Sequence, residues 1–326
     1  MNFFRKFSVA VVASAFSLLA QAQAYPTKPI RFIVPFPAGG PTDVVSRALT
    51  AKLAEVLGQP IVVDNIGGAG GSIGMAALAK APADGYTIGL ATTGTHAVNP
   101  HLYGAKLGYN ALRDFSPISA VVTYVNLLVV HPAVPARTVA ELAAYAKANP
   151  QKVNFGSSGN GSTNHLSGEL LKSLTGAPMM HVPYKGGAQA LNDLLGGNTT
   201  FMFDLLSSSL PHVRTGKLRA VAVSSGQRTA FAPDVPTMDE SGVPGYSEAG
   251  SDLWFGVVGP ANMPSAIIAR LNSEILAILR GAEMQERYRG IHLDVKSTSP
   301  TEFSRTIAAD HEKWGRVVKA SGAKID

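Results

Sequence analysis

The stretch Pro29-Ile30-Arg31-Phe32-Ile33-Val34-Pro35-Phe36-Pro37-Ala38-Gly39-Gly40-Pro41-Thr42-Asp43 constrains the fold more than any other. Ile30 to Val34 is a short β-rich run of the kind used in a covered parallel sheet. Pro35 and Pro37 end it, since neither can donate to a ladder. Gly39-Gly40 allows a sharp turn and a close approach to a ligand. Thr42 or Asp43 is placed to cap a helix with Val45, Ala48, Leu49, Leu53, Val56 and Leu57 on its apolar face, and Gly58 is its natural stop. A helix start beside two glycines offers free N–H groups to an anion. A plain βα turn, with glycines for geometry alone, fits the same residues.

The rest of the chain repeats this logic, as α/β proteins do. Ile61 to Asp64 is a strand followed by the loop Asn65–Ser72 and a short helix through Met75 and Leu78. Thr87 to Ala91 is a strand that opens into Thr92-Thr93-Gly94-Thr95-His96. In open α/β sheets ligands sit beyond the carboxyl ends of strands. Ile118 to Val130 is too long for one ordinary strand and reads as a crossover between lobes. Thr138 to Glu141 is a capping box for a helix to Ala148. Val153 to Phe155 then leads into a second glycine-serine loop, Gly156–Ser162. A helix with Leu166, Leu170, Leu171 and Leu174 on one face follows, closed by Gly176. Asp252 to Val258 reads as the return crossing, and helices are expected over 264–279 and 299–320. Two α/β lobes joined by two crossings describe a hinged cleft.

Composition narrows the class. With 326 residues, 46% hydrophobic and 15% charged, the chain can bury a sizeable core and is not mainly disordered. It has no cysteine, which excludes a disulfide framework, thiol catalysis and a Cys-ligated metal. The net charge of +6 suits an anionic ligand, but the basic residues are scattered, so no nucleic-acid partner is expected. Residues 1–24 read as a signal peptide: Arg5-Lys6, an apolar stretch from Phe7 to Ala20, and the small-x-small site Ala22-Gln23-Ala24. The mature chain should begin at Tyr25 in the periplasm, without a lipoprotein anchor.

Enzyme motifs are weak. Gly70-Gly71-Ser72-Ile73-Gly74 matches G-x-S-x-G, but the preceding strand ends near Asp64, too early for a nucleophile elbow. Ser72 fits a helix N-cap better. The glycine spacing departs from G-x-G-x-x-G, and the histidines show no metal spacing. No cofactor and no metal are expected. Asp204, at the end of the strand Thr200–Phe203, is either a cap for the next helix or a partner for a ligand ammonium group. Tyr184 and Trp254 could wall a pocket or lie in the core.

Phe36-Pro37-Ala38-Gly39-Gly40-Pro41-Thr42-Asp43 resembles the first ligand loop of the Bug family, the periplasmic substrate-binding proteins of tripartite tricarboxylate transporters. Asn65 to Gly74, Asp84-Gly85-Tyr86-Thr87, Gly156 to Ser162 with His165-Leu166, Val182 to Gly187, Gly216 to Ala220 and Val235 to Met238 continue the resemblance in order. It implies a type II periplasmic binding protein, with lobe one at 25–125 plus 253–326 and lobe two at 126–252. It implies a small carboxylate ligand, a monomer, membrane permease subunits as partners, and no chemistry performed. The implied contacts are Phe36, Ala38, Gly39, Gly40, Gly70, Ser72 and Thr92 on lobe one, and Ser157, Ser158, Ser162 and Asp204 on lobe two. The competing expectations are a ligand sensor for a signalling system and a secreted serine hydrolase using Ser72.

Overall fold

A computed structural model describes residues 25–250 and 253–323, with the side chains of residues 249 and 250 left aside. The expected signal peptide and Asp252 lie outside the described residues. Among the described residues eleven strands form two sheets: β1 (Ile30–Val34), β2 (Ile61–Asn65), β3 (Thr87–Thr92), β4 (Phe115–Tyr124), β5 (Asn126–Val130), β6 (Asn154–Ser157), β7 (Met180–Pro183), β8 (Phe201–Leu205), β9 (Arg219–Val223), β10 (Leu253–Pro260) and β11 (Asp294–Val295). The first sheet runs β11-β4-β10-β3-β1-β2 and the second β7-β6-β8-β5-β9. Both are mixed. β1 pairs in parallel with β2 and β3, whereas β10 is antiparallel to β3 and β4. In the second sheet β6 is parallel to β7 and β8, and β5 is antiparallel to β8 and β9.

The long run at Ile118–Val130 is therefore two strands in different sheets, with Val125 between them. Every residue of β5 is buried, as expected of a central strand covered on both faces. Leu253 to Val258 of the expected return crossing lie instead in β10, a strand wholly within the first sheet and buried throughout. The C-terminal helix Pro300–Ser321 opens with a full capping box on Ser299 and Glu302. It reaches across to the helix Thr163–Thr175, where Ser173 Oγ donates to the Ala320 carbonyl (3.1 Å).

Several local expectations need correction. The first helix spans Pro41–Leu57 with Gly40 as N-cap, so Thr42 and Asp43 lie inside its first turn. Proline at the first helical position explains the early start, because its missing N–H costs nothing there. Val56 and Leu174 face solvent, 46% and 47% exposed, instead of the core. Thr138 caps its helix, but Glu141 accepts from the Arg137 amide (2.6 Å), so the reciprocal half of that box is absent. Ser72 is the first residue of its helix, with Gly71 as N-cap, because a single 3-10 turn at Ala69–Gly71 precedes it.

Candidate functional site

Between the two sheets lies a cleft of about 810 Å³, its mouth included. Phe36, Pro37, Ala38, Gly40, Pro41, Thr42, Thr92, Gly94, Tyr124 and Phe255 line it from the first sheet. Ser158, Ser162, Thr163, Asn164, Gly186 to Gln189, Asp204 and Leu205 line it from the second.

The loop after β1 is fixed from beneath. Asp43, almost fully buried, accepts the Gly39 amide (3.0 Å), Arg47 Nε (2.9 Å) and Asn65 Nδ2 (3.0 Å). Asn65 also donates to the Phe36 carbonyl (3.0 Å). Burial opposes the charge on Asp43, but these donors outweigh it and hold the carboxyl below its usual range. We predict that Asp43→Ala lowers the melting temperature by several degrees, from about 1–3 kcal/mol of lost hydrogen bonding. It should also weaken ligand affinity about tenfold by freeing the loop; thermal unfolding and a binding titration check both.

Among the helices that begin at the cleft without a side-chain cap are Pro41–Leu57 at Gly40 and Gly187–Leu195 at Gly186. Their leading N–H groups are left to whatever the cleft contains. A methyl carbon placed on Gly186 would lie 3.3 Å from the Pro37 ring, so the two helix starts are held close together. Among the described residues neither Lys, Arg nor His lines the cleft, and Asp204 is the one carboxylate that does. This lining can receive an anion on uncharged donors, without burying a compensating cation.

The second loop is equally built. Ser162 caps the helix Thr163–Thr175, accepting the His165 amide (3.3 Å) and donating to the Gly159 carbonyl (2.7 Å). Ser158 donates to Asn164 Oδ1, and Asn164 Nδ2 donates to the Phe203 carbonyl (2.6 Å). Behind the loop, His165 and His181 stack with centroids 4.0 Å apart. Gly161 N–H donates to His165 Nδ1 (3.2 Å), which places the His165 proton on Nε2. Burial depresses both imidazoles, to about 3 for His165 and about 4 for His181, so both are neutral.

Of the residues expected at a ligand, Phe36, Ala38, Gly40, Thr92, Ser158, Ser162 and Asp204 are brought together on this cleft. Gly39, Gly70, Ser72 and Ser157 are not. The Gly39 amide is taken by Asp43, and the residue faces an outer groove beside the cleft. Gly70 packs on the Asn160 carbonyl, and its own carbonyl accepts Asn99 Nδ2 (3.1 Å). Ser72 Oγ accepts Asn99 Nδ2 (2.8 Å), an arrangement that supplies no base to activate it. Ser157 is fully buried on His181 Nε2 (2.6 Å). His96 turns into the core against Phe115, and burial lowers its pKa to about 3.

Asp204 does not cap the following helix. That helix, Leu206–Arg214, has Leu205 as N-cap and no side-chain cap bond. Tyr184 and Trp254 also lie off the cleft, hydrogen-bonded to Asp193 (2.6 Å) and Asp310 (2.7 Å). The aromatic wall is instead Tyr124 and Phe255, 4.5 Å apart, with the Tyr124 hydroxyl 3.2 Å from Thr163 Oγ1. Strand alternation puts Trp254 and Phe255 on opposite faces of β10, and nothing local says which face is the cleft. Gly186 to Gln189 also line the cleft, and their glycine pair before an amphipathic helix is the same signal as Gly39-Gly40.

The family model for the tripartite tricarboxylate transporter family receptor matches residues 45–323. Protein BugT of Bordetella pertussis is 38% identical over 304 residues, 93% of this chain and 92% of that protein. The solved structure of R. palustris Rpa4515 with adipate is 37% identical with a TM-score of 0.87, covering 92% of this chain and 100% of that one. The periplasmic binding protein BugD is 35% identical with a TM-score of 0.86, over 92% and 99% of the two chains. MatC (Rpa3494) from Rhodopseudomonas palustris with bound malate is 31% identical with a TM-score of 0.85, over 90% and 100%. The resemblance read from the loops and the two-sheet α/β fold of periplasmic binding proteins are both borne out.

Proposed function

We propose that this chain, which belongs to the tripartite tricarboxylate transporter receptor family, captures a small carboxylate by closing two lobes around it. The single observation that carries this is the cleft itself. The uncapped helix starts at Gly40 and Gly186 and a set of hydroxyls converge there, with no lysine, arginine or histidine among the described residues of the lining. Such a site holds an anion through preorganised neutral donors and needs neither a metal nor a nucleophile. The relatives solved with adipate and malate favour the same ligand class.

The lobes are residues 25–125 plus 253–326 and residues 126–252, and the ligand contacts are the seven expected residues that line the cleft. Residues 1–24 direct export to the periplasm. Closure is a population shift, driven by contacts that the ligand makes with both lobes at once. The closed form delivers its solute to membrane permease subunits and performs no chemistry.

A thermal-shift screen of refolded protein against small carboxylates tests this. A ligand at a thousand times its dissociation constant adds about 4 kcal/mol, so at least one carboxylate should raise the melting temperature by about 5 °C or more. No shift across a broad carboxylate panel, alongside ester hydrolysis that Ser72→Ala abolishes, would replace capture with hydrolysis.

A further inference from the structure

Behind the cleft, the second loop is held at two points by one pair of imidazole rings. Gly159 and Gly161, at φ +115 and +84, flank Asn160 in a conformation open to glycine alone, and glycine loses the most freedom on being ordered. The loop therefore needs fixed partners. The Gly161 N–H is buried and finds its acceptor in His165 Nδ1, at 3.2 Å. The Gly159 N–H donates to Ser157 Oγ (3.1 Å), which lies 2.6 Å from His181 Nε2. The two imidazoles stack on each other, and His181 packs on Phe155 of β6, centroids 5.0 Å apart. What the loop shows outward depends on this hold. Towards the cleft it presents Ser158 and Ser162. Towards the first sheet's side, its Asn160 carbonyl accepts the Tyr103 hydroxyl (3.1 Å) and packs on Gly70. Its Gly161 carbonyl would lie 3.0 Å from a methyl carbon placed on Gly94.

We propose that His165, supported by His181, is the positioning residue of the second loop: by accepting the Gly161 N–H it holds the one loop conformation that both receives the solute and meets the opposite lobe. The inference rests on the capture function proposed above. Neither imidazole lines the cleft, so both act through Ser158, Ser162 and the backbone of Asn160 and Gly161 and touch no solute themselves. The role suits a histidine kept as a neutral ring. Nδ1 must be bare to accept, and a protonated ring would set a donor against the Gly161 donor. The environment favours the neutral form. Both rings are desolvated, His181 and Lys172 oppose a charge on His165, and Lys172 opposes one on His181. Lys172, on the same helix as His165, is itself paired with Glu169 (3.1 Å).

Amide hydrogen exchange and calorimetry on the refolded protein test this with two substitutions. His165→Asn sets a carbonyl oxygen where Nδ1 stands but removes most of the ring, whereas His165→Leu keeps more apolar bulk and has no acceptor. A histidine that only fills the core predicts that leucine is the milder change. A positioning residue predicts the reverse. In the ligand-free protein the Gly161 amide should exchange at about the wild-type rate in His165→Asn and at least about tenfold faster in His165→Leu. Titrated with succinate, malate, glutarate and adipate, His165→Asn should stay within about threefold of wild type, and His165→Leu should bind at least about tenfold more weakly. Equal Gly161 exchange in the two variants, or tighter binding by His165→Leu than by His165→Asn, would overturn the inference and leave carboxylate capture standing. Failure of the wild type to bind any of the four acids would count against capture itself, and the exchange rates would still decide whether His165 holds the loop. If neither variant folds, the wild type decides: a Gly161 amide that exchanges as freely as an unstructured one would overturn the inference, and a protected one supports it.

Discussion

Gly161→Ala should lower carboxylate affinity by about a hundredfold or more while both sheets remain folded. Gly161 has φ +84, and an added methyl would collide with Asn99 Oδ1. The neighbouring contact is equally close. Gly70, φ +58, leaves no room for a methyl against the Asn160 carbonyl, and Tyr103 donates to that carbonyl from the first sheet's side (3.1 Å). These glycines let the two loops touch, and in the two-lobed closure proposed here the touch exists only when the lobes are together. Opening relieves the collision, so the substitution acts on the closed state. Destabilising closure by about 3 kcal/mol reduces affinity about a hundredfold. Gly176→Ala is the control. It carries a similar φ, +58, but nothing lies within 4 Å of the added methyl. It should cost about 1–2 kcal/mol of stability and leave affinity unchanged. Equal affinity in the two variants, read by calorimetry, would mean that the loops do not meet in the bound state.

Acidification should cost this protein more stability than its carboxylates alone would suggest. His96, His165 and His181 are neutral and buried, with folded pKa values of about 3, 3 and 4 against an ordinary 6.5. A base whose folded pKa is depressed gives stability that is present above the unfolded value and lost as pH falls below it. By about pH 5 that amounts to about 2 kcal/mol per histidine. Asp204 has the opposite sign. Burial lifts it from 3.8 to about 7. Ionising it therefore penalises the ligand-free fold above neutrality, and the penalty is relieved as pH falls towards the unfolded value. Asp204→Asn should accordingly be more stable than wild type at about pH 8, by up to about 4 kcal/mol, and should lose stability more steeply on the way to about pH 5. Urea midpoints of both proteins across that range check this. Parallel curves would mean that Asp204 is not buried in the ligand-free protein.

The strand–loop–helix units were legible because their signals are local. Proline stops, paired glycines and apolar spacing sit within about fifteen residues of one another, and they placed Phe36, Ala38, Gly40 and Ser162 on elements that reach the cleft. What local signals lack is direction. Gly39, Gly70, Ser72 and Ser157 have the donors or hydroxyls that a ligand loop needs. Their partners, however, are Asp43, Asn160, Asn99 and His181, three of them fixed by contacts distant in sequence. Asp204 shows the same limit from the other side. Its position at a strand end was plain, but only the start of the next helix at Leu206 removes capping as its purpose. Tyr124 and Phe255 follow from how two sheets face each other, a relation that no single strand encodes.

The measurement that bears most directly on carboxylate capture is a calorimetric comparison of the tightest-binding carboxylate with its primary amide, identical in size but without the anionic group. Recognition by the helix starts at Gly40 and Gly186 predicts one site per chain for the acid and affinity at least about a hundredfold weaker for the amide, since charge-assisted hydrogen bonds to the ligand are lost. Equal affinity for acid and amide would contradict it, because the cleft would then be reading shape and apolar surface, with no demand for an anion.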